Sequence, residues 1–103
     1  MTIKIGSYEF EGPYFSIEQL KELSGVFVIL CPEEGKFSVI DVGEASKVRS
    51  TAVSRGRTGC WQKNSPEIFL YAAYYAPNLR RDARVEIERE IRHQYEPPCG
   101  GPK

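Results

Sequence analysis

Two apolar runs in the middle of the chain predict a β-hairpin. Residues 25–31 (GVFVILC) are rich in β-branched and aromatic side chains, which favour strands. The segment 32–35 (PEEG) interrupts them with the residue types that turns require, and the apolar pattern resumes over 36–43 (KFSVIDVG). Two such runs joined by a short turn are typical of antiparallel strands.

The second half of the chain predicts a further strand between two helices. Residues 68–76 (IFLYAAYYA) lie between prolines and are rich in aromatic side chains, which favours a buried strand over a helix. Apolar residues then recur every four positions from Leu79 to Tyr95, which predicts a helix over about 79–95 that Pro97 stops. Before the strand, apolar residues at helical spacing predict a short basic helix over 46–55.

The N-terminal region has a weaker pattern. Apolar residues over 3–10 alternate imperfectly around a Gly-Ser turn, which fits either a short edge strand or an irregular arm. Ser16 and Gln19 have the spacing of a capping box and predict a short helix over about 17–23. The complete order predicts an α+β fold: a small three-stranded antiparallel sheet with flanking helices.

Length and composition limit the chain to one unit. The sequence has 103 residues, of which 41% are hydrophobic and 12% aromatic, so we expect a single domain over 1–103. Its core is expected at about 24–100, preceded by an N-terminal arm and short helix over 1–23. No apolar run is long enough to cross a membrane, and three cysteines cannot all pair within the chain. These features predict a protein of the reducing cytoplasm with no membrane partner.

The formal net charge is zero, but the charges are unevenly distributed. Residues 1–44 contain three Lys and eight acidic residues, a balance of −5. Residues 45–103 contain eleven Lys and Arg and six acidic residues, a balance of +5. The second half is therefore where a polyanion would bind, unless the two halves intermix in the fold and their charges cancel.

An ordered set of short motifs resembles the GIY-YIG nuclease superfamily. Residues 25–27 (GVF) open the first strand of the hairpin, where that family has Gly-Ile-Tyr, and residues 41–43 (DVG) close the second, where it has Tyr-Ile-Gly. A basic helix, the pair 60–61 (CW) and a pattern of Glu, Ile, Tyr and Pro over 88–97 follow in order. The resemblance covers about 24–100 and makes Gly25, Phe27, Gly43 and Trp61 motif or structural positions.

The chain departs from the family pattern at three positions. Phe27 and Asp41 replace the two motif tyrosines, and Thr51 stands where the family has its arginine. Arg55, four residues further on, lies on nearly the same helix face and is our candidate replacement. Glu88 matches the family's glutamate.

The resemblance implies a phosphodiester hydrolase that uses one Mg²⁺ or Mn²⁺ ion, held mainly by Glu88. Arg55 would then bind the phosphate, and Asp41 would act as a second metal ligand or as a base that positions water. Each assignment has a plainer alternative. Glu88 could belong to a surface ion-pair ladder with Arg84 and Arg92, Asp41 could lie at an exposed strand end, and Arg55 could contact solvent or nucleic-acid backbone.

The partner expected from these patterns is nucleic acid, DNA in particular. The candidate phosphate contacts are Lys47, Arg49, Arg57 and Lys63. Trp61 is expected to pack the junction between helix and strand rather than to stack on a base. The cysteines and the single histidine lack zinc spacing, and no glycine loop for a nucleotide cofactor is present. The functional prediction is a small GIY-YIG-type nuclease domain; the alternative is a degenerate module that binds nucleic acid or protein without catalysis.

Overall fold

The computed structural model describes residues 1–55 and 57–100. The strands are β1 (Thr2–Ile5), β2 (Tyr8–Tyr14), β3 (Gly25–Glu33), β4 (Lys36–Ala45) and β5 (Leu70–Tyr75). The helices are α1 (Val48–Ser54), α2 (Thr58–Asn64) and α3 (Arg81–Tyr95), together with a one-turn 3₁₀ helix at Ile17–Gln19.

The sheet has five strands, so the predicted three-stranded sheet is wrong. The strand order is β1-β2-β5-β3-β4, and each neighbouring pair is antiparallel. The N-terminal region forms a hairpin that adds two strands beside β5. Contacts with α3 hold this hairpin in place: the Tyr8 hydroxyl donates to Glu90 (2.7 Å) and the Gly6 amide donates to the Tyr95 hydroxyl (2.8 Å).

The central hairpin is confirmed, with β3 and β4 paired from Gly25↔Ala45 to Glu33↔Lys36. β3 is buried continuously from Gly25 to Leu30 because strands flank it on both sides and helices cover both faces of the sheet. This explains why its sequence is a continuous apolar run rather than an alternation. The strand predicted at 68–76 is also confirmed, as β5.

The helices differ from prediction mainly at their ends. α3 and α1 are confirmed with slightly shorter bounds than predicted. The predicted capping box between Ser16 and Gln19 forms, but only one 3₁₀ turn follows because Leu20 is already extended. The sequence did not predict α2, because Gly59 resembles a helix terminator; burial of Trp61 against the sheet secures this short helix.

The two faces of the sheet carry separate cores. α3 contributes Ile87 and Ile91 to one core, whereas Val48 of α1 and Trp61 of α2 belong to the other. β4 is an edge strand, and side chains from both helix layers meet at its Asp41. The candidate site lies at this edge. Within the described part of the chain, no helix has the length and apolar character needed to cross a bilayer.

Candidate nucleic-acid interface

Asp41 is the centre of a buried polar cluster. Its side chain is inaccessible to solvent, and the Trp61 indole donates to its Oδ2 at 2.8 Å. Arg57 Nη1 lies 3.1 and 3.3 Å from the two carboxylate oxygens, and Arg92 Nη2 donates to Oδ1 at 3.2 Å. Arg92 also donates to the Val42 carbonyl. A buried carboxylate is tolerated when charged and neutral donors surround it in this way.

This burial excludes the alternative that Asp41 lies at an exposed strand end. Both of its oxygens accept hydrogen bonds from protein donors, so the carboxylate holds Arg57, Arg92 and Trp61 in place. The arrangement favours a positioning role for Asp41. Its predicted roles as a metal ligand or a base would each require an oxygen to exchange one of these donors.

Glu88 lies on α3 in an open cleft of about 720 Å³, beside Arg92, His93 and Gly100. Its carboxylate is partly buried and 3.7 Å from Arg92, so Arg92 connects Glu88 with Asp41. Burial raises the pKa of the Glu88 carboxyl above its ordinary value near 4.5, and the neighbouring charges of Arg92 and Arg55 only partly oppose that effect.

The predicted ladder of Arg84, Glu88 and Arg92 forms only in part. Arg84 is buried and donates to Glu44 (3.1 Å) and to the Leu79 carbonyl (3.0 Å). Arg84 is therefore committed elsewhere, and Glu88 keeps only its contact with Arg92.

The Glu88 carboxylate should cost stability at neutral pH. Because folding raises its pKa, the native state holds the proton more tightly than the unfolded chain. The wild type should therefore lose stability relative to Glu88→Gln as the pH rises above about 4.5, where the carboxyl of the unfolded chain loses its proton. The measured quantity is the free energy of unfolding. Urea titrations across pH 3.5–8 would measure this.

Glu86→Gln is the matched control, because Glu86 is exposed on the same helix. It should show no such divergence. If Glu88→Gln were the less stable protein at pH 7, Glu88 would be a structural ion-pair partner instead.

Arg55 lies against the start of the β3–β4 hairpin. Its guanidinium carbon is 5.0 Å from the centre of the Phe27 ring, an arrangement typical of a cation–π contact. The Arg55 guanidinium and the Glu88 carboxylate are close enough for each charge to shift the pKa of the other. Burial is the main cause of a lowered pKa for Arg55. These two sequence-predicted residues therefore influence each other's charge.

Gly43 leaves the space that Arg55 occupies. A Cβ at Gly43 would lie 2.6–2.8 Å from the guanidinium atoms of Arg55, closer than atoms can approach. A Cβ at Gly25 would instead lie 2.3 Å from the Tyr74 carbonyl oxygen in the paired strand β5. The two motif glycines thus have different roles, since one accommodates a mobile side-chain end and the other accommodates backbone.

Substitution of these two glycines should distinguish an effect on nucleic-acid binding from an effect on the stability of the fold. We expect Gly43→Ala to displace Arg55 and to lower nucleic-acid binding as much as Arg55→Ala, with a loss of stability below about 1 kcal/mol, because a side-chain end can move. Gly25→Ala should destabilise by more than about 2 kcal/mol because the sheet itself must shift. Thermal unfolding and fluorescence anisotropy of a labelled duplex would compare them. Full binding by Gly43→Ala would contradict the placement of Arg55.

The segment 45–66 is basic throughout, with five Lys and Arg and no acidic residue. Lys47, Arg49 and Lys63 are exposed, whereas Arg57 is committed to Asp41. Glu22 approaches this surface from the first half of the chain: it accepts hydrogen bonds from Ser50, which lower its pKa, and the charges of Arg49 and Lys47 lower it further. Asp41 and Glu44 of the first half also pair with arginines of the second half, so the charges of the two halves intermix in the fold.

Trp61 has the packing role that the sequence predicted. It is buried at the junction of α2 and the sheet, edge-on to Phe69 and Tyr71, and it has no free face for a base. Sequence reasoning missed the central position of Arg92, for which the spacing of four residues from Glu88 was the available signal. It also missed the contacts of Cys99 and Gly100, which no local pattern indicates.

A metal ion in this cleft would depend on Glu88 with few other protein ligands. Among the residues that the structure describes, no three His, Cys, Asp or Glu side chains converge as a metal site. Mg²⁺ often retains several waters and takes only one or two carboxylates, so Glu88 alone could hold it. Arg92 and Arg55 would compete with such an ion for that carboxylate.

Comparison with family models, with curated proteins and with solved structures gives no match for this chain.

Proposed function

We propose that the protein is a GIY-YIG-type domain that binds nucleic acid, DNA in particular, at the edge of β4. The observation that carries this proposal is the position of Arg55, whose guanidinium lies over the Phe27 ring and in the space that Gly43 leaves open.

Phosphate is the group that this site is suited to bind. A planar guanidinium offers donors whose geometry matches phosphate oxygens in a bidentate contact. The exposed lysine and arginine side chains of the adjoining segment would contact neighbouring phosphates. Such contacts do not depend on the nucleotide sequence. Binding should therefore be dominated by electrostatics.

Hydrolysis of a phosphodiester bond is the second candidate function. The observation that favours it is the Glu88 carboxylate, partly exposed in a cleft within range of the Arg55 charge. A bound Mg²⁺ or Mn²⁺ would supply an acidified water and stabilise the leaving oxygen. Glu88 would hold the ion while Arg55 binds the non-bridging oxygens. Phe27 has no hydroxyl, and Asp41 is committed to Arg57, Arg92 and Trp61, so neither supplies a ready base.

Nucleic-acid binding should weaken steeply as the salt concentration rises. We expect the charged side chains in and beside α1 and α2 to cause this dependence. For duplex DNA the logarithm of affinity falls by about 0.9 per neutralised phosphate for each unit of log salt concentration. We expect Lys47→Ala, Arg49→Ala and Lys63→Ala each to reduce that slope by up to about 0.9. Anisotropy titrations between 25 and 300 mM salt would measure it.

Lys36→Ala is the matched control, because Lys36 is an exposed lysine at the start of β4, away from α1 and α2. It should leave the slope unchanged. Absence of binding even at the lowest salt would instead support the alternative function, a protein-interaction module.

A further inference from the structure

A disulfide links the candidate site to the C-terminal segment. Cys60 of α2 is bonded to Cys99, and we call residues 97–100 the C-terminal strap. Cys99 is fully buried: its amide donates to the Ile40 carbonyl (3.0 Å), and its carbonyl accepts from Arg92 Nη1 (3.1 Å). The disulfide and two hydrogen bonds thus fasten the strap beside β4.

The strap covers the arginines of the Asp41 cluster. A Cβ at Gly100 would lie 1.6 Å from Arg57 Nη1 and 2.8 Å from Asp41 Oδ1, so the strap backbone rests directly on this ion pair. Arg92 is held by the Cys99 carbonyl as well as by Asp41. The strap therefore holds Arg92 by a hydrogen bond and lies over Arg57, which is paired with Asp41.

We propose that the Cys60–Cys99 disulfide is a redox switch that controls the phosphate affinity of this cleft; the inference rests on the proposed function. In a reducing compartment, a disulfide is typically transient or redox-sensing rather than permanent. Cys60 is partly exposed, which gives a reductant access to one of the two sulfurs.

The reaction is ordinary thiol–disulfide exchange with a dithiol reductant. Its thiolate attacks Cys60 Sγ, the S–S bond breaks, and the electron pair leaves on Cys99 Sγ as a thiolate that takes a proton from solvent. The second thiol of the reductant then displaces Cys60 and closes the reductant's own disulfide. Two electrons and two protons pass to the protein. Asn64 Nδ2, 3.5 Å from both sulfurs, stabilises the leaving thiolate.

Reduction removes the covalent attachment and leaves the strap held by its two hydrogen bonds and by the packing of Cys99 in the core. When it lifts, Arg57 and Arg92 become available to phosphate while Asp41 still orients them. Each added contact should steepen the salt dependence by about 0.9, and one such contact should tighten binding about tenfold.

The test compares oxidised and dithiothreitol-reduced protein in a Cys31→Ser background, because Cys31 is the free cysteine of the described chain. Anisotropy of a labelled DNA duplex gives the affinity, and alkylation with mass spectrometry gives the thiol state. The reduced form should bind about tenfold more tightly. A Cys60→Ser/Cys99→Ser variant should bind like the reduced form and ignore dithiothreitol. Asn64→Ala should slow reduction without changing the affinity of the oxidised form.

Each contrary outcome has its own meaning. Equal binding by the oxidised and reduced forms overturns the switch and leaves the proposed function standing. Absence of binding by every form contradicts the proposed function and removes the switch with it. Loss of far-ultraviolet circular dichroism on reduction overturns the switch in favour of a structural cross-link.

Discussion

Asp41→Ala is expected to lower the free energy of unfolding by about 3–5 kcal/mol, because it removes the shared acceptor of a buried cluster. Arg57, Arg92 and the Trp61 indole would all lose the carboxylate that they contact, and the indole and most of Arg92 are shielded from water. For a domain of this size the melting temperature should fall by more than about 10 °C. Asp41→Asn keeps one acceptor and should lie between the wild type and Asp41→Ala.

Glu34→Ala provides the control for this experiment. Glu34 is an exposed carboxylate in the β3–β4 turn, and its loss should change stability by less than about 0.5 kcal/mol. Urea denaturation of the three variants would give the comparison. If Asp41→Ala were as stable as Glu34→Ala, the buried cluster would not exist as described.

The second large effect is expected at Arg55, in an assay of duplex cleavage with Mg²⁺ or Mn²⁺. Arg55→Ala should reduce the single-turnover rate about 10²–10³-fold, the usual loss when a donor to the transition-state charge is removed. Arg55→Lys should be nearly as slow because a point charge cannot reproduce a planar bidentate contact or the stacking on Phe27. Arg49→Ala is the matched control and should weaken binding with little effect on the rate of bound substrate.

Two outcomes would contradict this assignment. Loss of turnover in Arg49→Ala, with turnover intact in Arg55→Ala, would transfer the role to Arg49. Unchanged cleavage by Glu88→Ala would remove Glu88 as the metal ligand.

The elements with strong local patterns could be predicted from sequence. The β3–β4 hairpin, β5 and α3 have uninterrupted apolar runs or a clear four-residue step, so burial and local preference agree. The N-terminal hairpin could not be predicted, because Gly12 and Pro13 interrupt its second strand and contacts with α3 secure it. The predicted sheet was therefore two strands too small.

The sequence named individual candidate residues but not the contacts between them. Arg55 and Glu88 were both named, and the charge of each shifts the pKa of the other. The commitment of Asp41 to Arg92, 51 residues away, depends on a long-range contact that no local spacing reveals. The same is true of the strap, whose Cys99 is bonded to a residue 39 positions earlier.

The central claim is that nucleic acid binds at the edge of β4, beside Arg55. The most direct test is to titrate ¹⁵N-labelled protein with a short DNA duplex at low salt and to map the amide shifts. The account predicts the largest shifts around Arg55, Glu88 and the α1–α2 segment, with β1 and β2 unaffected. Shifts centred on the β1–β2 hairpin, or none at saturating DNA, would contradict it.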